Sequence, residues 1–264
     1  MTTSKKLLVG LIVLVILGGL TSYAYFTNKP LSDGEEGQST GTGGEVVDIE
    51  GLPDGASVEV IGSLNSELFN NTPRPSLERS LPQTGLPADA YAILKKKRDD
   101  LIAEINRNPA AMQNWLALGT VHKQVNDFEG ARMYYQYVVT VNPENLTAHW
   151  NLGTLYRNYL KDTTKAEASL RVVIKLDVKY TPAYLELASM FTDMKNWTKA
   201  EAILKDGTSA LPKDVDMWVA QAQYFKLRGD KTQARSAYDK AIALAKEQNN
   251  TQLAASLEAD KNAL

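Results

Sequence analysis

The eight residues at 115–122, WLALGTVH, decide the fold, because their pattern returns three times further along the chain. In each copy a ring side chain stands first, a glycine or alanine stands fifth, and a ring stands eighth. These positions are i, i+4 and i+7, which fall on one face of a helix. The other copies are HWNLGTLY at 149–156, YLELASMF at 184–191 and WVAQAQYF at 218–225.

A second signature follows each copy and turns the unit into a helical hairpin. An alanine recurs at intervals of 35, 34 and 34 residues, and a large side chain follows each alanine four residues later. Small residues in both signatures let the two helices approach closely. One hairpin cannot cover its own apolar face, so neighbouring hairpins must stack. The pairs are Ala131 with Tyr135, Ala166 with Leu170, Ala200 with Leu204, and Ala234 with Tyr238.

These signatures resemble the tetratricopeptide repeat family, whose unit of about 34 residues has an aromatic, Leu-Gly and Tyr in its first helix and Ala with an aromatic in its second. The resemblance implies an all-α, right-handed α-solenoid of about four helical hairpins. We predict capping helices before and after them, because the terminal faces of a solenoid need polar covers. The predicted units are 112–145, 146–180, 181–214 and 215–248, with caps at 87–111 and 249–264.

The second repeat departs from the pattern in two ways. It carries one extra residue, which we place in the turn at 161–163. Its leading tryptophan is displaced by one position to Trp150, with His149 in the usual place.

The resemblance also implies a groove along the first helices that binds an extended peptide or a helix of a partner protein. Trp150, Asn151 and Arg157 are the main candidates, because tryptophan and arginine often anchor interfaces. The alternative for Trp150 is core packing displaced by one position. The full predicted set is Gln113, Leu116, Lys123, Trp150, Asn151, Arg157, Leu185, Glu186, Gln223 and Lys226.

The N-terminal residues predict a membrane segment. Leu7 to Phe26 is a run of 20 uncharged residues, long enough as a helix to cross a bilayer. Lys5 and Lys6 precede it, so the N-terminus is expected in the cytoplasm and the repeats outside it. The alternative is a signal peptide that is cleaved near Ala24, followed by secretion.

Residues 27–86 predict an acidic linker that is rich in glycine, serine and proline. Ten acidic and three basic residues lie in it, and 32–44 holds five glycines with no aliphatic or aromatic side chain. Such a stretch cannot offset its ordering entropy by burial. A small hairpin at 46–61 is one interpretation, but an irregular linker is favoured because a lone hairpin is marginal in water.

The composition indicates no chemistry of its own. The chain has no cysteine, which excludes disulfides and thiolate sites, and a net charge of −2, which does not indicate a nucleic-acid binder. His122 and His149 occupy ring positions of the repeats and are expected in the core. We therefore predict a membrane-anchored interaction scaffold without catalytic residues, cofactor or metal, similar in layout to repeat proteins of envelope assembly and secretion. The alternatives are a self-associating structural component, hence a homo-oligomer, and an accessory subunit of an enzyme.

Overall fold

The computed structural model describes residues 65–83 and 85–264, which all belong to one compact unit. This part of the chain contains eleven α-helices and no strand, which confirms the predicted all-α solenoid. None of these helices is long and apolar enough to cross a membrane. The predicted membrane segment at 7–26 and the hairpin at 46–61 lie outside the described residues.

The helices follow one another with short turns. They are α1 Ser66–Asn71, α2 Ala88–Arg107, α3 Met112–Gln124, α4 Phe128–Val141, α5 Leu146–Leu155, α6 Thr163–Leu176, α7 Thr181–Asp193, α8 Trp197–Ala210, α9 Val215–Leu227, α10 Lys231–Glu247 and α11 Thr251–Asn262. A π-helical turn, Tyr156–Leu160, extends α5.

Eight of these helices form four hairpins, α3–α4, α5–α6, α7–α8 and α9–α10. Each second helix also packs against the first helix of the next hairpin, so the hairpins stack in chain order. At the two ends, α2 packs on α3 and α11 packs on α10. We call the surface of α3, α5, α7 and α9 the first-helix face, and that of α4, α6, α8 and α10 the second-helix face.

Small residues set the distance between the helices of a hairpin. Ala131, Ala166, Ala200 and Ala234 are all fully buried, in agreement with their common spacing. A Cβ atom on Gly119 would lie 2.6 Å from the Tyr135 ring, closer than such contacts allow. The glycine is therefore needed because the ring of the second helix lies directly against the first.

The leading ring of every repeat makes the same hydrogen bond. In each case the ring donates to the carbonyl oxygen six residues earlier, in the turn that follows the preceding helix. This bond holds each first helix at a fixed position relative to the second helix before it. The pairs are Trp115 Nε1 to Pro109 O at 2.9 Å, His149 Nε2 to Pro143 O at 2.8 Å, Tyr184 OH to Val178 O at 3.2 Å, and Trp218 Nε1 to Pro212 O at 2.9 Å.

The turn between the two helices of each hairpin is also repeated. A residue in the left-handed region precedes an Asp or Asn, whose side chain caps the second helix by accepting a backbone N–H. Only the fourth repeat uses glycine in the left-handed position. The turn residues are Asn126-Asp127, Lys161-Asp162, Lys195-Asn196 and Gly229-Asp230.

The extra residue of the second repeat lies within the first helix and not in the turn at 161–163, so that detail of the prediction is wrong. The turn keeps its usual bond, Asp162 N to Tyr156 O at 3.0 Å. In the first repeat the equivalent bond joins Asp127 N to His122 O, which are five positions apart. Asp162 and Tyr156 are six positions apart, so the extra residue lies between them. A π-helical turn absorbs the insertion because it adds a residue without breaking the backbone bonding on either side.

Residues 65–83, here called the strap, pack against the solenoid although the sequence assigns them to the linker. Phe69 and Leu77 pack on the core formed by α2, α3 and α4, and Leu81 is buried in it. Arg98 of α2 donates to the Leu77 and Arg79 carbonyl oxygens at 3.1 Å each. Side-chain donors thus replace the backbone partners that an extended segment lacks.

An ion pair fastens the strap to the first repeat. Arg79 donates to both carboxylate oxygens of Asp127, at 2.6 and 2.5 Å. The same carboxylate accepts from Gly130 N at 3.1 Å and lies 2.7 Å from Nδ1 of the fully buried His122. Burial alone would raise the pKa of Asp127, but the hydrogen bonds from Arg79 and His122 lower it to about 2. Burial lowers the pKa of His122.

Candidate partner-binding face

A row of four apolar side chains runs along the first-helix face. Each stands immediately after the leading ring of its repeat, so every hairpin contributes one residue to the row. All four are half-buried and pack against the core on one side while the other side stays accessible. The row is Leu116, Trp150, Leu185 and Val219.

Trp150 does more than fill the core. Its ring meets that of Tyr180, just before α7, edge to face at a centroid distance of 5.4 Å. The indole is therefore held by the next repeat, and the half that remains accessible belongs to the row. Core packing and an accessible surface are both present at this residue, so the two interpretations of it do not exclude each other.

Arg157 is occupied by its own chain. It lies on the π-helical turn and reaches α7, where it bonds to Ser189 Oγ at 2.7 Å and to Asp193 at 2.8 Å. Glu186 contributes its backbone oxygen at 3.1 Å and its carboxylate at 2.9 Å. Since only 15% of the Arg157 side chain is exposed, its main role is to join the second and third repeats. The sequence suggested a free anchor for a partner, whereas the structure shows this guanidinium already paired within the chain.

Five polar side chains of the predicted set remain without hydrogen bonds or ion pairs to any other described residue. The Asn151 amide is half-buried beside Trp150. The Lys123 ammonium is half-buried, and burial lowers its pKa. An unpaired polar group that is partly desolvated gains most from a new partner, because it has already lost some water. The five are Gln113, Lys123, Asn151, Gln223 and Lys226, of which Gln113, Gln223 and Lys226 are exposed.

The structure therefore places nine of the ten predicted residues on the first helices and Arg157 on the π-helical turn that extends α5, in three different states. Leu116, Trp150 and Leu185 belong to the apolar row, while Arg157 and Glu186 form a bridge between repeats. The remaining five polar groups have no polar partner within the described part of the chain. Whether a partner binds there stays a prediction.

Sequence reasoning missed an aromatic pair between the π-helical turn and the start of α4. Phe128 and Tyr159 stack at a centroid distance of 4.3 Å, and Tyr159 remains 48% exposed. The π-helical turn places Tyr159 there, so the extra residue in the second repeat was the available signal. No cluster of three His, Asp or Glu side chains suited to a metal ion occurs among residues 65–83 and 85–264.

Comparisons with known proteins agree with this architecture. Tetratricopeptide repeat families match residues 116–178 and residues 215–248. A tetratricopeptide repeat protein from Parabacteroides merdae ATCC 43184 is similar in structure, with a TM-score of 0.50 at 20% identity over 66% of this chain and 70% of that one.

Two curated relatives match part of the chain in sequence. The protein O-mannosyl-transferase TMTC3 of mouse and of human is 24% identical over 165 residues. That alignment covers 57% of this chain but 17% of the mouse protein and 18% of the human one. The family matches identify tetratricopeptide repeats at 116–178 and 215–248, and the hairpin between these two stretches stacks in the same way.

Proposed function

We propose that the chain is a protein–protein interaction scaffold that binds an extended peptide or a helix of a partner along the first-helix face. The observation that carries the proposal is the row Leu116, Trp150, Leu185 and Val219, accessible on one side in all four repeats. A partner that covers such a row buries apolar surface in every repeat, and one large aromatic near the centre of a contact commonly dominates its energy.

Polar groups beside the row would set the orientation of the partner. Asn151 offers a donor and an acceptor to peptide backbone, and Lys123 offers a cation that has no ion-pair partner among residues 65–83 and 85–264. Arg157 contributes indirectly, because its bonds to α7 hold the second and third repeats in one arrangement. A face that is ordered before binding loses less entropy when it binds.

Photo-crosslinking of the full chain tests this function. A photoreactive phenylalanine analogue replaces Gln113 or Gln223 on the first-helix face, or Lys240 on the second-helix face as the control. We expect products with a partner protein from the first two positions and none from Lys240. Trp150→Ala should reduce the Gln113 product about tenfold, whereas the matched Tyr159→Ala, at an exposed aromatic elsewhere, should not.

Two results would contradict the proposal. Equal crosslinking at Lys240 and at the two glutamine positions would show that the first-helix face has no special role. A product at twice the 29.1 kDa mass of this chain would instead support the self-associating alternative.

We also propose that residues 7–26 hold the chain in a membrane, with the repeats on the extracytoplasmic side. The uncharged run and the two lysines before it support this. Alkaline extraction of membranes should leave the full chain in the pellet, with an intact mass that includes Met1. A chain that begins just after Ala24 would show cleavage and secretion instead.

Catalysis is not part of the proposed function. The match to the mannosyl-transferases covers less than a fifth of their length, so their activity is not carried over to this chain.

A further inference from the structure

The strap shows how a segment made of a short helix, α1, and an extended stretch binds the second-helix face. It occupies the groove between α2 and α4, here called the first groove, where Tyr134 OH donates to Ser76 O at 3.1 Å. Phe69 packs against the same core. The Arg74 guanidinium lies over the Phe69 ring, 5.2 Å from its centroid, and its charge opposes the rise in the pKa of Tyr137 that burial causes. Phe69 and Arg74 are five residues apart in the sequence.

The groove between α6 and α8, here called the third groove, has the same framework but is open. It holds a cavity of about 460 Å³. Its floor is Tyr184, bonded to Val178 O in the same way as Trp115, the floor of the first groove, is bonded to Pro109 O. The cavity is lined by Arg171, Ile174, Val178, Tyr184, Ile203, Asp206, Ser209 and Ala210.

The two grooves correspond residue by residue. The equivalent alanines of the first and third repeats, Ala131 and Ala200, are 69 positions apart. The same offset relates Pro109 to Val178 and Trp115 to Tyr184. Applied to the walls, it pairs Ile174 with Ile105, Ile203 with Tyr134 and Asp206 with Tyr137.

Two of these differences suit an occupant with one apolar and one basic side chain, since Arg171, the cation in the lining, is paired with Glu167 at 2.9 Å. Val178 is 53% exposed, so the apolar rim of the third groove is uncovered. Asp206 forms no ion pair with any described residue, and it stands where the first groove has the Tyr137 phenol. A carboxylate in that position would bind a guanidinium more strongly than a phenol does, because both groups are charged.

We propose that the third groove binds a segment of a partner protein that carries a large apolar side chain and, about five residues further along, an arginine or lysine. The apolar side chain fills the cavity over Tyr184, between Ile174 and Ile203. The basic side chain pairs with Asp206. This surface is separate from the first-helix face and does not depend on the function proposed for that face.

A labelled synthetic peptide of residues 65–83 serves as the probe, because it carries this pattern at Phe69 and Arg74. Its binding to the full chain, whose own strap fills the first groove, is measured by fluorescence anisotropy. We expect saturable binding, weakened about tenfold or more by Val178→Glu and by Asp206→Lys. Met194→Glu is the matched control, since Met194 is 50% exposed outside the groove, and it should change affinity less than about twofold.

A charge exchange sharpens the test. A peptide with Arg74→Glu should lose about tenfold in affinity for the unchanged chain and recover most of it on the Asp206→Lys variant. Circular dichroism melting should show all three chain variants folded, because the substituted side chains are exposed.

Three results would overturn the proposal. The first is no saturable binding at peptide concentrations of about 1 mM. The second is binding that the groove variants do not affect, which would place the peptide in the first groove or elsewhere. The third is a dimer of the full chain that Val178→Glu dissociates, which would make a second copy the occupant in place of a partner protein.

Discussion

The first and fourth repeats carry rings at the same positions but bury them to different degrees. Trp115 and His122 are fully buried in the first repeat, whereas Trp218 and Phe225 at the same positions of the fourth are half-buried. The repeat pattern therefore determines which side chains face a neighbour. It does not determine how completely that neighbour covers them.

The neighbours explain the difference. In the first repeat, α2 and the strap close over the core around Trp115. In the fourth, Gln221 takes the place of a leucine, and a partly open cavity of about 240 Å³ remains between α8 and α10. Gln221 lines that cavity together with Trp218 and Phe225, so the two rings of the fourth repeat are covered less completely than those of the first. Equivalent substitutions in the two repeats should therefore have unequal effects.

The largest effect is expected from the leading rings. Trp115→Ala should lower the free energy of unfolding by about 3–5 kcal/mol, because it removes a fully buried ring and leaves a cavity. Trp218→Ala should cost about 1–2 kcal/mol, since much of that ring is already exposed to water. Urea denaturation followed by circular dichroism measures both. Equal losses would show that the two repeats are covered alike.

The second comparison concerns the aspartates that cap α4 and α10. Asp127→Ala should cost about 2–3 kcal/mol, because it removes a cap and leaves Arg79 and the buried His122 without their acceptor. Asp230→Ala removes a cap alone and should cost about 1 kcal/mol. The same denaturation experiment separates the two. If Asp127→Ala lowers the free energy of unfolding no more than Asp230→Ala does, the bond between Asp127 and Arg79 of the strap contributes nothing to stability.

The third expectation is a pH dependence that belongs to the first repeat. The pKa of Asp127 is about 2 in the folded chain against an ordinary value of 3.8, so its ion pairs contribute stability above about pH 5 that is lost as the pH falls towards 2. The loss should reach about 2 kcal/mol. Asp127→Asn should remove this dependence of stability on pH, whereas the control Asp230→Asn should leave it in place. Chemical denaturation at several pH values between 5 and 2 measures the difference, which would be absent if Asp127 titrated normally.

The smallest effect is expected from the second repeat. Deleting Tyr159 restores the usual spacing, places Leu160 at the position of the buried Val125, and should convert the π-helical turn into regular α-helix. The loss of stacking on Phe128 should cost about 0.5–1.5 kcal/mol. Amide hydrogen exchange of 156–162, combined with urea denaturation, tests both points. Unfolding of the repeat would show that the insertion is required for the fold.

The fold could be predicted from the sequence because its evidence is periodic. The buried alanines and the leading rings recur once per hairpin, and each occurrence supports the others. The strap could not be predicted in this way. Phe69, Leu77 and Leu81 lie among prolines without any period, and only the groove that α2 and α4 form together shows where they pack.

The sequence predicted where the residues of the candidate site lie, but not which of them are already bonded within the chain. Register alone places Trp150, Asn151 and Arg157 on the first helices. It could not show that Arg157 is bound to Ser189 and Asp193, because that contact spans more than 30 residues and depends on how two repeats stack.

The sequence by itself determined the hairpin, its length and the order of stacking, because each of these follows from local spacing of small and large side chains. Only the tertiary structure decided which surfaces remain accessible, which charges are already paired and which groove the chain fills with its own strap. These properties depend on contacts between residues far apart in the sequence, and local periodicity carries no information about such contacts.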